Sequence, residues 1–76
     1  MEDGSFMADI LSNVSGVVMN ILVKEGDSIA VDQDILAVES MKMEMMVPST
    51  AKGTVVKIHV NKEDFIQEGQ VIVSVS

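Results

Sequence analysis

Shifted against itself by 37 residues, which carries Gly16 onto Gly53, the chain matches without a gap. Val18 then falls on Val55, Ile21 on Ile58, Val23 on Val60, Asp27 on Asp64, Ile29 on Ile66, Gln33 on Gln70, Ile35 on Ile72 and Val38 on Val75, and Ser12 meets Ser49. Within 76 residues these are two copies of one supersecondary unit. A solenoid needs about three or more repeats to bury a continuous core. The arrangement expected is therefore a closed pair related by an approximate two-fold axis.

Each copy reads as β. Met19, Ile21 and Val23 alternate with Asn20 and Leu22 in the first, and Val56, Ile58 and Val60 alternate with Lys57 and His59 in the second. Period-two alternation of β-branched residues predicts strands with one buried face, here the Met19 and Val56 face. Turn residues punctuate both copies at Ser15-Gly16, Glu25-Gly26-Asp27, Asp32-Gln33-Asp34, Lys52-Gly53, Asn61 to Asp64 and Glu68-Gly69. No stretch holds apolar residues at helical spacing over 10–12 positions. Strands are expected near Ala8–Leu11, Gly16–Val23, Ser28–Ala30, Ile35–Glu39, Met43–Pro48, Gly53–Val60, Phe65–Gln67 and Val71–Val75. Eight short strands without helices predict an all-β domain, either two small sheets face to face or a flattened barrel. Pro48 belongs at a strand end or edge, where its missing N–H does no damage.

A domain of this size buries only about 60% of its unfolded surface. With no cysteine there is neither a disulfide nor thiolate-bound zinc to staple it, so aliphatic packing must suffice. Twelve acidic against five basic residues give a net charge of −7, which speaks against nucleic acid and anionic membrane as partners. The same acidity serves solubility and attracts basic partner proteins. No apolar run approaches the roughly 18 residues needed to span a bilayer. Residues 1–7 read as an arm or linker remnant preceding a domain over residues 8–76. Without cysteines or a basic, apolar leader the expected compartment is the cytoplasm, and a processed organellar chain would look the same.

One segment breaks the local rules. Copy one ends near Glu39 and copy two begins near Glu44, and the link between them is Ser40-Met41-Lys42-Met43. Tight hairpin turns favour Asn, Asp or Gly because their central residues need positive φ. A departure from local preference at one point is a pointer to function, and here it points to the ammonium of Lys42 at the tip of a hairpin.

Glu39-Ser40-Met41-Lys42-Met43-Glu44 resembles the attachment motif of biotinyl domains, usually Glu-Ala-Met-Lys-Met-Glu. The resemblance extends from about Ala8 to Ser76 and includes Ile21-Leu22-Val23-Lys24-Glu25-Gly26-Asp27, Pro48, Gly53-Thr54-Val55 and Glu68-Gly69. It implies a flattened barrel of two four-stranded antiparallel sheets with internal two-fold pseudo-symmetry, the barrel-sandwich hybrid of the biotin/lipoyl attachment family. It further implies biotin held covalently on Lys42, with Met41 and Met43 as the motif flanks and Glu39 and Glu44 as recognition residues for a biotin protein ligase. The domain would be a non-catalytic carrier, moving a carboxyl group between a biotin carboxylase and a carboxyltransferase. Four features depart from the usual pattern. Asn13-Val14-Ser15 stands where a Pro-containing stretch is usual. Ser40 replaces Ala, as it often does in lipoyl domains. Asp32 and Glu63 occupy turn positions where Gly is usual, so non-Gly residues are expected there under strain.

Other readings compete for the same residues. A lipoyl carrier shares the fold but has Asp before the lysine and Ala after it, where this chain has Met41 and Met43. An unmodified interaction module is the bland alternative. Met41, Met43, Met45 and Met46 together suggest a thioether copper(I) site, although Met45 or Met46 as adaptable core filler is the simpler account. His59 is expected on the surface. Asp32-Gln33-Asp34 lacks the downstream Gly and Glu of a calcium-binding loop.

Overall fold

The computed structural model describes residues 7–76; the expected N-terminal arm falls largely on residues 1–6, which lie outside the described residues. Among the described residues there is no helix, and eight strands follow in order: β1 Ala8–Leu11, β2 Gly16–Ile21, β3 Ser28–Ile29, β4 Asp34–Ser40, β5 Met43–Pro48, β6 Gly53–Ile58, β7 Phe65–Ile66 and β8 Val71–Val75. They form two four-stranded antiparallel sheets of order β1-β8-β6-β3 and β5-β4-β2-β7. Exchanging each strand for its repeat mate converts one order into the other. Each sheet thus takes two strands from each copy, and the copies interlock rather than sit side by side.

The symmetry extends to single bonds. Ile10 pairs with Val73 as Val47 pairs with Leu36, and Val18 pairs with Val38 as Val55 pairs with Val75. Leu22 N–H donates to the Ile35 carbonyl at 2.9 Å, and His59 N–H to that of Ile72 at 2.8 Å. The turns repeat as well. Asp27 Oδ2 accepts from Lys24 N–H at 2.9 Å and Asp64 Oδ2 from Asn61 N–H at 2.8 Å, each closing its turn from the downstream end. Gln33 and Gln70 bracket their turns in the same manner, each accepting at 3.0 Å from a backbone N–H three residues upstream. The buried hydroxyls of Ser12 and Ser49 each donate to the carbonyl two residues on.

Inner faces of both sheets close on one aliphatic core, centred on Ile10, Val18, Leu36, Val38, Val47, Val55, Ile66 and Val73. Without a cysteine to form a disulfide, this packing is what holds the domain together; burial contributes roughly 25 cal/mol per Å² of apolar surface.

Two expectations are corrected. Met19 and Val56 do not face the core; both are exposed. The register of β2 on β4 shifts between Val18 and Asn20, and β6 on β8 shifts between Val55 and Lys57, which leaves Met19 and Val56 as unpaired bulge residues. One extra residue inverts the alternation. Gly16 and Val18 therefore face inward before the bulge, and Ile21 and Val23 after it. Nor does Met45 or Met46 fill the core: both lie on the edge strand β5 and stay exposed, and Val47 carries that strand's buried contact. Pro48 ends β5, as its missing donor requires.

Candidate functional site

Strands β4 and β5 are joined by a two-residue turn. Ser40 pairs with Met43, and Met41 and Lys42 occupy the central positions with φ of 53° and 64°. Positive φ at both central positions marks a type I′ turn, whose twist matches the flanking strands and which ordinarily selects Asn and Gly. A Met and a Lys held there each cost about 1–2 kcal/mol in backbone sterics. The surrounding hairpin overrides that cost: β4 and β5 pair continuously from Leu36–Val47 out to Ser40–Met43.

This turn presents its side chains to solvent. Lys42 is exposed, Met41 is 92% exposed and Met43 67%. Glu39 and Glu44 stand directly opposite one another immediately below the turn, on the outer face of the sheet. Their carboxylates thus share a cross-strand position where like charges repel. All five residues singled out in the motif are therefore brought to one end of one hairpin. An amine on a rigid, outward turn, flanked by apolar thioethers and free of a surrounding wall, suits a covalently attached group with an aliphatic chain.

The two other non-glycine turn residues behave as expected: Asp32 has φ 73° and Glu63 φ 77°. Their repeat mates are Gly69 and Gly26, at φ 89° and 95°. Each turn type thus occurs once with glycine and once without it.

The remaining candidates do not assemble into a reactive site. A groove runs between Ile21 and Ile58, Val23 and Val60, and Lys24 and Asn61, where the two copies meet, and Lys42 does not line it. No cluster of three or more His, Asp or Glu residues able to hold a metal ion occurs among the described residues. His59 is exposed, as expected, yet it is not idle: its Nε2 lies 2.9 Å from Ser74 Oγ, and Ser74 Oγ donates to Asp9 Oδ1 at 2.7 Å. Since the hydroxyl proton goes to the carboxylate, the imidazole donates to Ser74 rather than activating it. A nucleophilic Ser–His–Asp relay requires the His in the middle; here Ser74 is in the middle, and the trio ties β1, β8 and the end of β6 together. Nothing in the sequence marked this trio, because its members are 15 and 65 residues apart.

The same architecture occurs in a urea carboxylase of Kluyveromyces lactis, with a TM-score of 0.85 and 24% identity over all of this chain and 7% of that one. In sequence the chain is 35% identical over 68 residues to a biotinylated protein TB7.3 homolog of Mycobacterium leprae, covering 90% of this chain and 96% of the relative. It is 37% identical to the mitochondrial propionyl-CoA carboxylase alpha chain of Homo sapiens, and 39% identical to the dihydrolipoyllysine-residue acetyltransferase component of the pyruvate dehydrogenase complex of Pseudomonas aeruginosa. Each of those two matches covers 82% of this chain, which spans 8% and 11% of those longer relatives. Residues 7–75 match the biotin/lipoyl family, described as biotin-requiring enzyme. The chain belongs to the biotin/lipoyl attachment domain family, whose members are carriers rather than catalysts.

Proposed function

We propose that this domain is a biotin carboxyl carrier, with biotin joined by an amide between its valeryl carboxyl carbon and Lys42 Nζ. The observation that carries the reading is the Met41-Lys42 turn: an exposed amine held at positive φ, where a residue chosen for folding alone would be Asn or Gly. Met41 and Met43 on either side favour biotin over lipoate, since a lipoyl carrier places Asp and Ala there. Biotin supplies a ureido nitrogen that takes up a carboxyl group. The chain's own contribution is placement. The hairpin fixes the root of a long, mobile arm, and tethering raises the effective concentration at two successive sites far above that of free biotin. Glu39 and Glu44, facing each other below the turn, are recognition residues for the biotin protein ligase. The partners that follow are a biotin carboxylase and a carboxyltransferase in a biotin-dependent complex, which in this reading works in the cytoplasm.

Intact mass after co-expression with a biotin protein ligase tests this. The chain gains one biotinyl group, and Lys42→Arg gains none. A lipoyl adduct would transfer the domain to the lipoyl carriers, to which the Pseudomonas relative belongs by name. A biotinyl group on another lysine would overturn the assignment of Lys42.

A further inference from the structure

The pseudo-symmetry supplies an internal control. Every position on the outer face of one sheet has a mate on the outer face of the other, carried by an equivalent backbone, so differences between mates reflect something other than the needs of the fold. On the sheet that carries the Lys42 hairpin, one row runs Glu44, Glu39, Val17, Phe65 across all four strands. Its mates on the other sheet are Met7, Ser76, Thr54 and Ser28; Thr54 pairs with Ser28 and exchanges backbone hydrogen bonds with Ser76. Further along, Met46 pairs with Ala37 and Ala37 with Asn20, whose mate is Lys57; beyond Asn20, Leu22 follows on β2's extension, and the apolar members are Met46, Ala37 and Leu22. The mates of those three are Asp9, Ser74 and His59, the hydrogen-bonded trio described above.

Thus Val17, Leu22, Met46 and Phe65 stand where the same backbone elsewhere carries Thr54, His59, Asp9 and Ser28. Burial does not explain the exchange: Phe65, one of the chain's two aromatic residues, is 63% exposed, and Leu22 and Met46 are each close to 45% exposed. At one end this apolar stripe meets Glu39 and Glu44, whose mutual repulsion costs stability. The same two residues flank the Lys42 turn.

We propose that the outer face of the β5-β4-β2-β7 sheet docks the biotin carboxylase that services the Lys42 arm, through a surface apolar at its centre and carrying Arg or Lys opposite Glu39 and Glu44. The proposal rests on the carrier reading of Lys42. Charge calls for a basic occupant, and the carrier reading names it. Two carboxylates side by side on a chain of net charge −7 call for a basic counterpart, and the four strands of this sheet carry no Lys or Arg that a second copy docked through the same face could offer. Continuity with the turn supplies the purpose: a partner holding Glu39 and Glu44 fixes the root of the arm, because only residues 40–43 separate them.

The test uses the full chain as Lys42→Arg, isotope-labelled and titrated with the purified biotin carboxylase component of an acyl-CoA carboxylase. Amide shifts are expected at Val17, Leu22, Glu39, Glu44, Met46 and Phe65. The triple variant L22H/M46D/F65S, each residue replaced by its repeat mate, should weaken binding roughly tenfold, about 1.4 kcal/mol, and Lys57→Ala on the opposite sheet should leave it unchanged. Should the triple variant not fold, Glu39→Lys with Glu44→Lys provides the second route, with an equal or larger loss at low salt. Shifts confined to residues 40–43, shifts on the opposite sheet, no binding, or unchanged affinity of the variants would overturn the proposal. Self-association lost in the triple variant, with enzyme binding intact, would assign the face to a second copy instead. Ligase loading of the wild-type chain is scored separately by mass. A chain that docks but is never loaded refutes only the carrier reading, and a chain that is loaded but never docks refutes only the docking face.

Discussion

Replacing Met41 by glycine should make this protein more stable, although the substitution deletes a side chain. Met41 sits at φ 53° and makes almost no packing contact that could be lost, being 92% exposed. Relief of the left-handed conformation returns about 1–2 kcal/mol. Glycine gives back roughly 0.5–1 kcal/mol of that through the greater freedom of its unfolded chain. The difference is a gain of about 0–1.5 kcal/mol, centred on about 0.75, which in a domain of this size raises the melting temperature by about 3–6 °C at the centre of the range. Glu63→Gly is the companion: its φ is 77°, and its repeat mate is already a glycine, Gly26 at φ 95°, so the same relief applies far from the Lys42 turn. Thermal unfolding followed by circular dichroism, together with urea titration to obtain ΔG and m, measures both. A fall in stability for Met41→Gly while Glu63→Gly gains would show that the Met41 side chain contributes contacts outweighing its strain. A fall in both would refute the assignment of stored turn strain altogether.

Gly16→Ala should destabilise the domain by about 1–3 kcal/mol, the usual cost of overpacking, because its Cβ would collide with the Glu39 carbonyl oxygen and lie 2.8 Å from Val38 Cγ1. Urea unfolding reads the loss, and an unchanged midpoint would mean that β2 and β4 are farther apart than described. Glu39→Gln should add roughly 0.2–1 kcal/mol by removing the repulsion from Glu44. That gain should shrink as salt is raised from 10 mM to 1 M, since the pair is exposed and screened; a gain indifferent to salt would point to another cause.

The turn strain and the carboxylate pair have one feature in common. Both lower the stability of the hairpin that bears Lys42, and both lie on residues of the Glu39–Glu44 motif. A functional site is where a small domain keeps such unfavourable features. Asp32 and Glu63 show that strain alone is not diagnostic: they carry the same positive φ at turns outside the Glu39–Glu44 motif, where the repeat mates are Gly69 and Gly26.

Much of this molecule could be read from the chain alone. The 37-residue repeat required two equivalent halves, the β-branched alternation required strands, and the Gly and Asp positions located the turns to within a residue or two. The Lys42 motif stood out because turn chemistry is local: φ at a tight reversal depends on the residues in it, and Met-Lys is a poor choice. Three matters were decided only in three dimensions. The sharing of both sheets between the two copies was not readable, since ladder hydrogen bonds join backbone groups that are alike at every residue. The inward face of β2 and β6 was misread at Met19 and Val56, because period two holds only until a bulge resets it, and a bulge is set by the partner strand's register. The contrast between the outer faces, Phe65 against Ser28 and Met46 against Asp9, acquires meaning only once pairing places those residues on equivalent surfaces. Local geometry follows from local residues, whereas which strand lies beside which, and therefore which side chains form a surface, is settled by packing between residues far apart in the chain.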